Sequence, residues 1–150
     1  VLSAEHVLAA VDGQGALLGV LGFRSHEGGF ADGSWQDLRA IYGPLGAIWR
    51  WACFAALARG PAASAFVIDG VAVRADRRGE GIGAQLIAAA LVEAQARGFT
   101  RVRLDVVPQN MAARALYARA GFEPQARRKS LFTALAFAFR EVLVLERGLG

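Results

Sequence analysis

Val71-Ala72-Val73-Arg74-Ala75-Asp76-Arg77-Arg78-Gly79-Glu80-Gly81-Ile82-Gly83-Ala84 decides the fold, because it joins an apolar run to a helical one through a charged, glycine-rich turn. Upstream, Val67-Ile68-Asp69-Gly70-Val71-Ala72-Val73 is apolar on both faces except at Asp69, as a central strand is. Downstream, Ala84–Arg97 repeats Leu86, Ile87, Ala90, Leu91 and Ala94 at helical spacing, and Gly98 is placed to end the helix. The first amides of such a helix lack internal partners and lie at the positive end of its dipole. Glycines remove the Cβ atoms that would hold an anion away, so the turn suits a phosphate group. Arg77 and Arg78 are expected to add charge at its mouth. Amide hydrogen bonds to a charged oxygen, at about 1.5–3 kcal/mol each, outweigh the roughly 0.3–1 kcal/mol of the dipole.

Working outward, His6–Asp12 and Ala16–Ser25 are apolar runs joined by Gly13-Gln14-Gly15, which predicts a β-hairpin. Glu27–Ser34 is glycine-rich and turn-like. From Trp35 to Arg59, Leu38, Ile41, Tyr42, Leu45, Ile48, Trp49 and Ala52 recur at helical spacing, and Gly43-Pro44 divides the segment into two short helices. Ala65–Val73 is the strand before the turn. Arg101–Val107 alternates Val102, Leu104 and Val106 with Arg101, Arg103 and Asp105, which marks another strand. Asn110 can cap a second helix that runs to Ala120 and closes at Gly121. The tail holds a Phe-rich stretch, Leu131–Phe139, and a final strand, Glu141–Glu146. This order predicts a single α/β layered domain over residues 1–150.

The chain has 150 residues, 55% of them apolar, enough for one core. Its net charge of +4 comes almost wholly from arginine, Lys129 being the only lysine. The arginines cluster at Arg74–Arg78 and Arg127–Lys129, which suits anion binding or solvated surface, and no nucleic-acid partner is expected. Cys53 is the lone cysteine, and no Cys/His cluster has metal-site spacing, so a reducing compartment and no metal are expected. No secretory signal opens the sequence and no apolar run is long enough to span a bilayer, so the expected location is cytoplasmic. The chain begins at Val1 rather than at methionine, which leaves room for a missing N-terminal piece.

Three phosphate-binding readings compete. A P-loop needs Gly-Lys-Ser/Thr, and Gly83-Ala84-Gln85 has neither the lysine nor the hydroxyl. A dinucleotide fingerprint is met by Gly79, Gly81 and Ala84, with Asp105 near the end of the next strand as a ribose-binding acid. Against it, Arg74–Arg78 separate the apolar strand from Gly79, and the motif follows a hairpin and helices rather than opening the first βαβ unit. The third reading rests on two motifs. Val71-Ala72-Val73, Arg78, Gly79, Gly81 and Gly83 resemble the acetyl-CoA-binding signature of the GNAT acetyltransferase superfamily. Leu104-Asp105-Val106, Asn110, Ala113, Ala115-Leu116-Tyr117 and Ala120-Gly121-Phe122 resemble the family's second block.

The resemblance spans Ile68–Glu123 and implies a mixed, mostly antiparallel sheet with a splayed parallel pair, flanked by helices. It implies acetyl-CoA as co-substrate and acetyl transfer by direct attack of a primary amine of a small molecule or peptide. It assigns cofactor contacts to Val71, Val73, Arg78, Gly79, Glu80, Gly81, Ile82, Gly83, Ala84, Asn110 and Tyr117, with Glu80 contributing only its amide. Asn110 and Tyr117 lie almost two turns apart, on one face of the second helix. Tyr117 is the candidate acid; Asp69 is the first candidate base and Asp105 the second, although either suits a structural acid paired to an arginine. A phenol of pKa about 10 loses roughly 2 kcal/mol in fully protonating a thiolate of pKa near 8.5, which favours a hydrogen bond over complete transfer. Ala75 stands where many members carry proline, which loosens the turn. Family members usually have a strand and one or two helices before the first hairpin. Here either the chain is truncated or the Trp35–Arg59 helices substitute for them, with Arg39, Tyr42, Trp49 and Arg50 on the acceptor side. The Phe-rich stretch suits an acceptor pocket, a lipid contact or a homodimer face. A non-catalytic acyl-CoA-binding module and a dinucleotide-binding oxidoreductase are the alternatives.

Overall fold

In the computed structural model, which describes residues 2–4, 6–25, 28–29, 65–129 and 141–150, the chain opens with a strand the sequence does not signal. This is β1 (Leu2–Ala4), paired antiparallel with β2 (Val7–Val11). The expected hairpin follows, β2 pairing with β3 (Leu17–Ser25). Asp12 turns it: its Oδ1 accepts from the amides of Gln14 and Ala16 at 2.9 and 2.8 Å. The Ala16 amide, then that of Gln14, holds the Asp12 carboxyl below the usual carboxylate range.

Within the segment read as a turn, Gly28–Gly29 forms a two-residue strand, β4, on the end of β3. The Trp35–Arg59 helices and the Leu131–Phe139 stretch lie outside the described residues. The central strand is β5 (Phe66–Val73), followed by the helix α1 (Ile82–Ala96), which starts two residues before the expected Ala84. Next come β6 (Arg101–Val106) and α2 (Met111–Arg119). The tail gives β7 (Glu123–Lys129), too polar to be read as a strand, and β8 (Glu141–Gly148).

The strands form one sheet in the order β1-β2-β3-β5-β6-β8-β7, with β4 beside β3. Among the described residues, β5 and β6 are the one parallel pair and the other pairs are antiparallel. On one face, Leu21, Phe23, Phe66, Ile68, Val102 and Leu104 pack against Ile82, Leu86, Ile87, Ala90 and Ala94 of α1. Phe23 stacks on Phe66 with ring centroids 4.5 Å apart, and the Arg97 guanidinium lies over Phe23 at 5.0 Å.

Two glycines set how closely α1 approaches. A Cβ on Gly19 would lie 2.9 Å from the Ala72 carbonyl oxygen and 3.2–3.3 Å from Leu86 and Ile82, so β3 is bare where the helix crosses it. A Cβ on Gly83 would press Leu116 at 3.2 Å, where α1 meets α2. Gly19→Ala is therefore expected to destabilise the protein by about 1–3 kcal/mol, because the first obstacle is main chain and cannot swing away. Gly13→Ala, with no atom within 4 Å of the added carbon, is the control. Urea denaturation of both variants checks this: Gly13→Ala should keep the wild-type midpoint and Gly19→Ala should not.

Candidate active site

The parallel pairing of β5 with β6 consists of Phe66 with Val102, Val67 with Arg103 and Ile68 with Leu104, and stops there. Beyond that point, among the described residues, β5 pairs only with β3 and β6 only with β8, so the two strands part. The register of β5 on β3 also slips there: Gly22 faces Gly70 and Phe23 faces Ile68, which leaves Asp69 as a bulged residue. Arg74 N donates to the Leu18 carbonyl of β3 at 2.9 Å. Amide direction alternates along a strand, so those of Val71 and Val73 point the other way, into the opening. Their side chains pack on the core.

The glycine turn closes the end of β5. Ala75–Arg77 form a 3-10 turn, and Gly79 and Gly81 have φ of +86° and +81°. A Cβ at either glycine would meet nothing within 4 Å, so backbone conformation, and not crowding, calls for glycine there. Gly81 is the N-cap of α1 and offers no side-chain cap, and the first turn holds no acidic residue. The earliest helical bond runs from Gln85 N to Gly81 O at 3.0 Å. Among the described residues, the amides from Gly79 to Ala84 have no main-chain acceptor. By contrast, α2 satisfies its own start: the Asn110 side chain accepts from Ala113 N at 3.1 Å.

The charge at the mouth differs from the expectation. Arg74 is held by Asp76, whose carboxyl drops below its usual range because of that hydrogen bond. Arg77 is tied to Glu80, with Nε 2.9 Å from the carboxylate, so the exposed Glu80 side chain neutralises its neighbour. Arg78 reaches back to the Val73 carbonyl with Nε at 3.4 Å, and no carboxylate pairs with it among the described residues. Arg78 is the guanidinium this turn leaves for an anion. Ile82 is buried in the core, so at that position only its amide can serve a ligand.

Tyr117 and Asn110 share α2 but differ in setting. Asn110 is an exposed cap, whereas Tyr117 is 8% exposed and lies edge-on to Phe122 with centroids 6.1 Å apart. Its hydroxyl makes no hydrogen bond among the described residues, and burial pushes its pKa above the ordinary value.

Asp69 and Asp105 come together, each the first residue past the last parallel rung, one on either side of the opening. Each has an arginine. Arg24 Nε lies 3.0 Å from Asp69 Oδ1, and Arg103 Nη2 lies 3.1 Å from Asp105 Oδ1. The sequence reading does not single out either arginine. The signal for Arg24 is that it is a lone charge ending the apolar run Leu17–Phe23, as Asp69 is in its own strand. A cavity of about 680 Å³ lies at the opposite end of the sheet, lined by Arg101, Arg119, Glu123, Glu146 and Arg147. There Arg147 donates to the Ala120 carbonyl and closes α2, so this cavity takes no part in the site.

A profile of the acetyltransferase (GNAT) family matches residues 3–122. Solved structures with this fold include a GCN5-related N-acetyltransferase from Kribbella flavida, with a TM-score of 0.63 and 21% identity over 95% of this chain and 67% of that one. A GNAT family acetyltransferase from Elizabethkingia anophelis with acetyl-CoA bound gives 0.65 and 13% over 95% and 75%. An IAA acetyltransferase from Bacillus cereus gives 0.65 and 17% over 95% and 77%. No curated protein matches the sequence. At these identities the likeness carries the fold, including the mixed sheet and its parted parallel pair.

Arg78→Ala is expected to weaken binding of coenzyme A by about 10- to 100-fold, as one charge-assisted contact is worth about 1.5–3 kcal/mol. Arg74→Ala should change it less than threefold, because Arg74 is already neutralised. Gly81→Ala forces a side chain into a left-handed conformation at a cost of about 1–2 kcal/mol. It should therefore weaken binding while leaving the added methyl uncrowded. Calorimetric titration of the three variants with coenzyme A measures each.

Proposed function

The chain belongs to the GNAT acetyltransferase family, whose chemistry is acetyl-CoA-dependent acyl transfer, and from that premise we propose that it acetylates a primary amine by direct attack. The single observation that carries this is the joining of an unsatisfied glycine turn to an unpaired strand edge. Free amides from Gly79 to Ala84 begin where the outward amides of Val73 and Val71 end. The residues fit the co-substrate. From Val73 back to Asp69, four residues at roughly 3.3 Å each give about 13 Å, the scale of a pantetheine arm. A diphosphate held at the turn with Arg78, and an arm along the edge of β5, bring the thioester to the bulge at Asp69.

When bound, acetyl-CoA supplies an activated acetyl thioester for the amine to attack, with the thiolate as leaving group. The work of the chain is to bind, orient and manage protons. Gly79, Glu80, Gly81, Ile82, Gly83 and Ala84 offer main-chain amides to the diphosphate, and Val71 and Val73 offer theirs to the amide groups of the arm. Asn110 fixes the start of α2, and with it the placement of Tyr117. A phenol whose pKa is raised by burial stays protonated throughout the neutral range, so Tyr117 acts as a hydrogen-bond donor to the sulfur and gives up its proton reluctantly.

An acceptor amine of pKa about 10.4 is neutral about once in a thousand molecules near pH 7.4, an apparent cost of about 4 kcal/mol. A carboxylate at the opening lowers that cost by accepting the proton. Asp69 is the first choice because it sits on the bulge where the strand edge delivers the thioester. Asp105, across the opening, is the second.

The direct test is release of free thiol from acetyl-CoA in the presence of an amine panel. No release with any amine, although coenzyme A binds, rejects an acetyltransferase and leaves a binding module. Asp69→Asn should lower kcat/KM by about 100-fold or more if Asp69 takes the proton, with Asp105→Asn falling less than tenfold. The reverse order assigns Asp105. Tyr117→Phe should lower kcat about tenfold or more and leave KM for acetyl-CoA within twofold. Because the folded pKa of Tyr117 lies above the unfolded one, its contribution to stability is present below pH 10 and is lost as pH rises further. Wild type should therefore lose more stability than Tyr117→Phe between pH 9 and pH 11, as urea denaturation would show.

A further inference from the structure

We propose that Arg24 selects the acceptor, and that the acceptor class is an amine carrying its own carboxylate, as an amino acid does. The inference rests on reading the opening between β5 and β6 as the place of acetyl transfer. Two ion pairs stand at that opening, on the sheet face away from α1. In register, Arg24 faces Val67 and Val67 faces Arg103, so the two guanidiniums belong to one row across the sheet. They differ in what they can meet. The Arg103 side chain is 10% exposed and its Nη2 donates to Asp105 Oδ1 at 3.1 Å, so it is spent on holding Asp105. The Arg24 side chain is 30% exposed. Its Nε lies 3.0 Å from Asp69 yet makes no hydrogen bond, so the pair is close but poorly aligned. Of the two guanidiniums, that of Arg24 is therefore the one a second, planar partner can reach from solvent, and a carboxylate is the partner that matches the guanidinium fork.

Spacing narrows the class further. Cation and carboxylate in this pair are 3.0 Å apart. An α-amino acid presents its nitrogen and its carboxylate at a similar separation and with the opposite sense of charge. Laid against the pair, its nitrogen meets Asp69, the first-choice base, and its carboxylate meets Arg24. A peptide N-terminus offers a carbonyl in place of the carboxylate and leaves the cation uncompensated. A polyamine would set a second cation against Arg24. Both are disfavoured by the same charge.

The test compares the common L-amino acids with their carboxamides as acceptors, following thiol release at pH 8 in wild type, Arg24→Met and Arg24→Lys. Carboxamides have the less basic amine and are more often neutral at that pH, so a preference for the acid runs against intrinsic reactivity. The expected result is a kcat/KM at least about tenfold higher for the acid than for its amide. That ratio should fall to near one in Arg24→Met and stay intermediate in Arg24→Lys. Using the ratio separates selection of the carboxylate from any general effect of losing the partner of Asp69, and coenzyme A affinity checks that the variants are folded. Amides acetylated as well as acids by the wild type would overturn the inference and leave the acetyltransferase intact. So would a ratio that survives Arg24→Met. Coenzyme A binding with no thiol release from any amine would overturn both readings.

Discussion

The ladder between two parallel strands ends after three rungs, and the rest of the site follows from that ending. Past Ile68 and Leu104, β5 and β6 each keep one hydrogen-bonded neighbour and lose the other. From Asp69 to Val73 the strand is exposed or half-buried, so water can meet the main-chain groups that the missing ladder leaves over. The opening therefore offers main-chain donors and acceptors without a strand partner at the centre of a sheet, suited to an extended ligand that brings amide groups of its own. The bulge at Asp69 adds a charge to the same ending. By inserting one residue against β3, it places a carboxylate at the base of the opening in a strand otherwise apolar.

The glycine turn shows which of several attractive terms governs anion recognition. Counting arginines suggests a strongly positive mouth, but Asp76 and Glu80 cancel Arg74 and Arg77 locally. What remains is Arg78 together with a run of directed amides, whose short-range hydrogen bonds exceed what the dipole of α1 contributes. On the proposed reading, selectivity for a diphosphate over other anions rests on geometry. Positive φ at Gly79 and Gly81 belongs to the class of turn in which successive amides can converge on an anion. The contrast with α2 makes the point within one molecule, since Asn110 closes the start of that helix with its own side chain. Burial of Tyr117 on that helix raises the pKa of its hydroxyl and keeps it protonated beside Phe122.

Much of this was legible in the residues because it depends on local chemistry. Period-two and helical patterns place β2, β3, β5, β6, α1 and α2 within a residue or two, since each buries a face defined along its own sequence. Gly98 and Gly121, with φ of +78° each, end the two helices where their position after the last apolar residue indicates. The elements missed are those with no apolar face to announce them. β1 is three residues long, β4 is two glycines, and β7 reads Glu-Pro-Gln-Ala-Arg-Arg-Lys, an edge strand whose pairing with β8 is supplied by the partner.

The sequence by itself determined the glycine turn, the order of strands and helices around it, and the pair of motifs that mark the family, because contiguous residues specify these. Only the tertiary structure decided which charges meet. Arg24 and Asp69 are separated by 44 intervening residues, and they become neighbours because β3 pairs with β5 in a register set by burial and a bulge. Arg77 and Glu80 lie three apart, yet whether they pair or point outward depends on the path of a 3-10 turn. Contacts between side chains on different elements follow from packing, which no local pattern encodes. For that reason the candidate acids were visible in the sequence and their arginine partners were not.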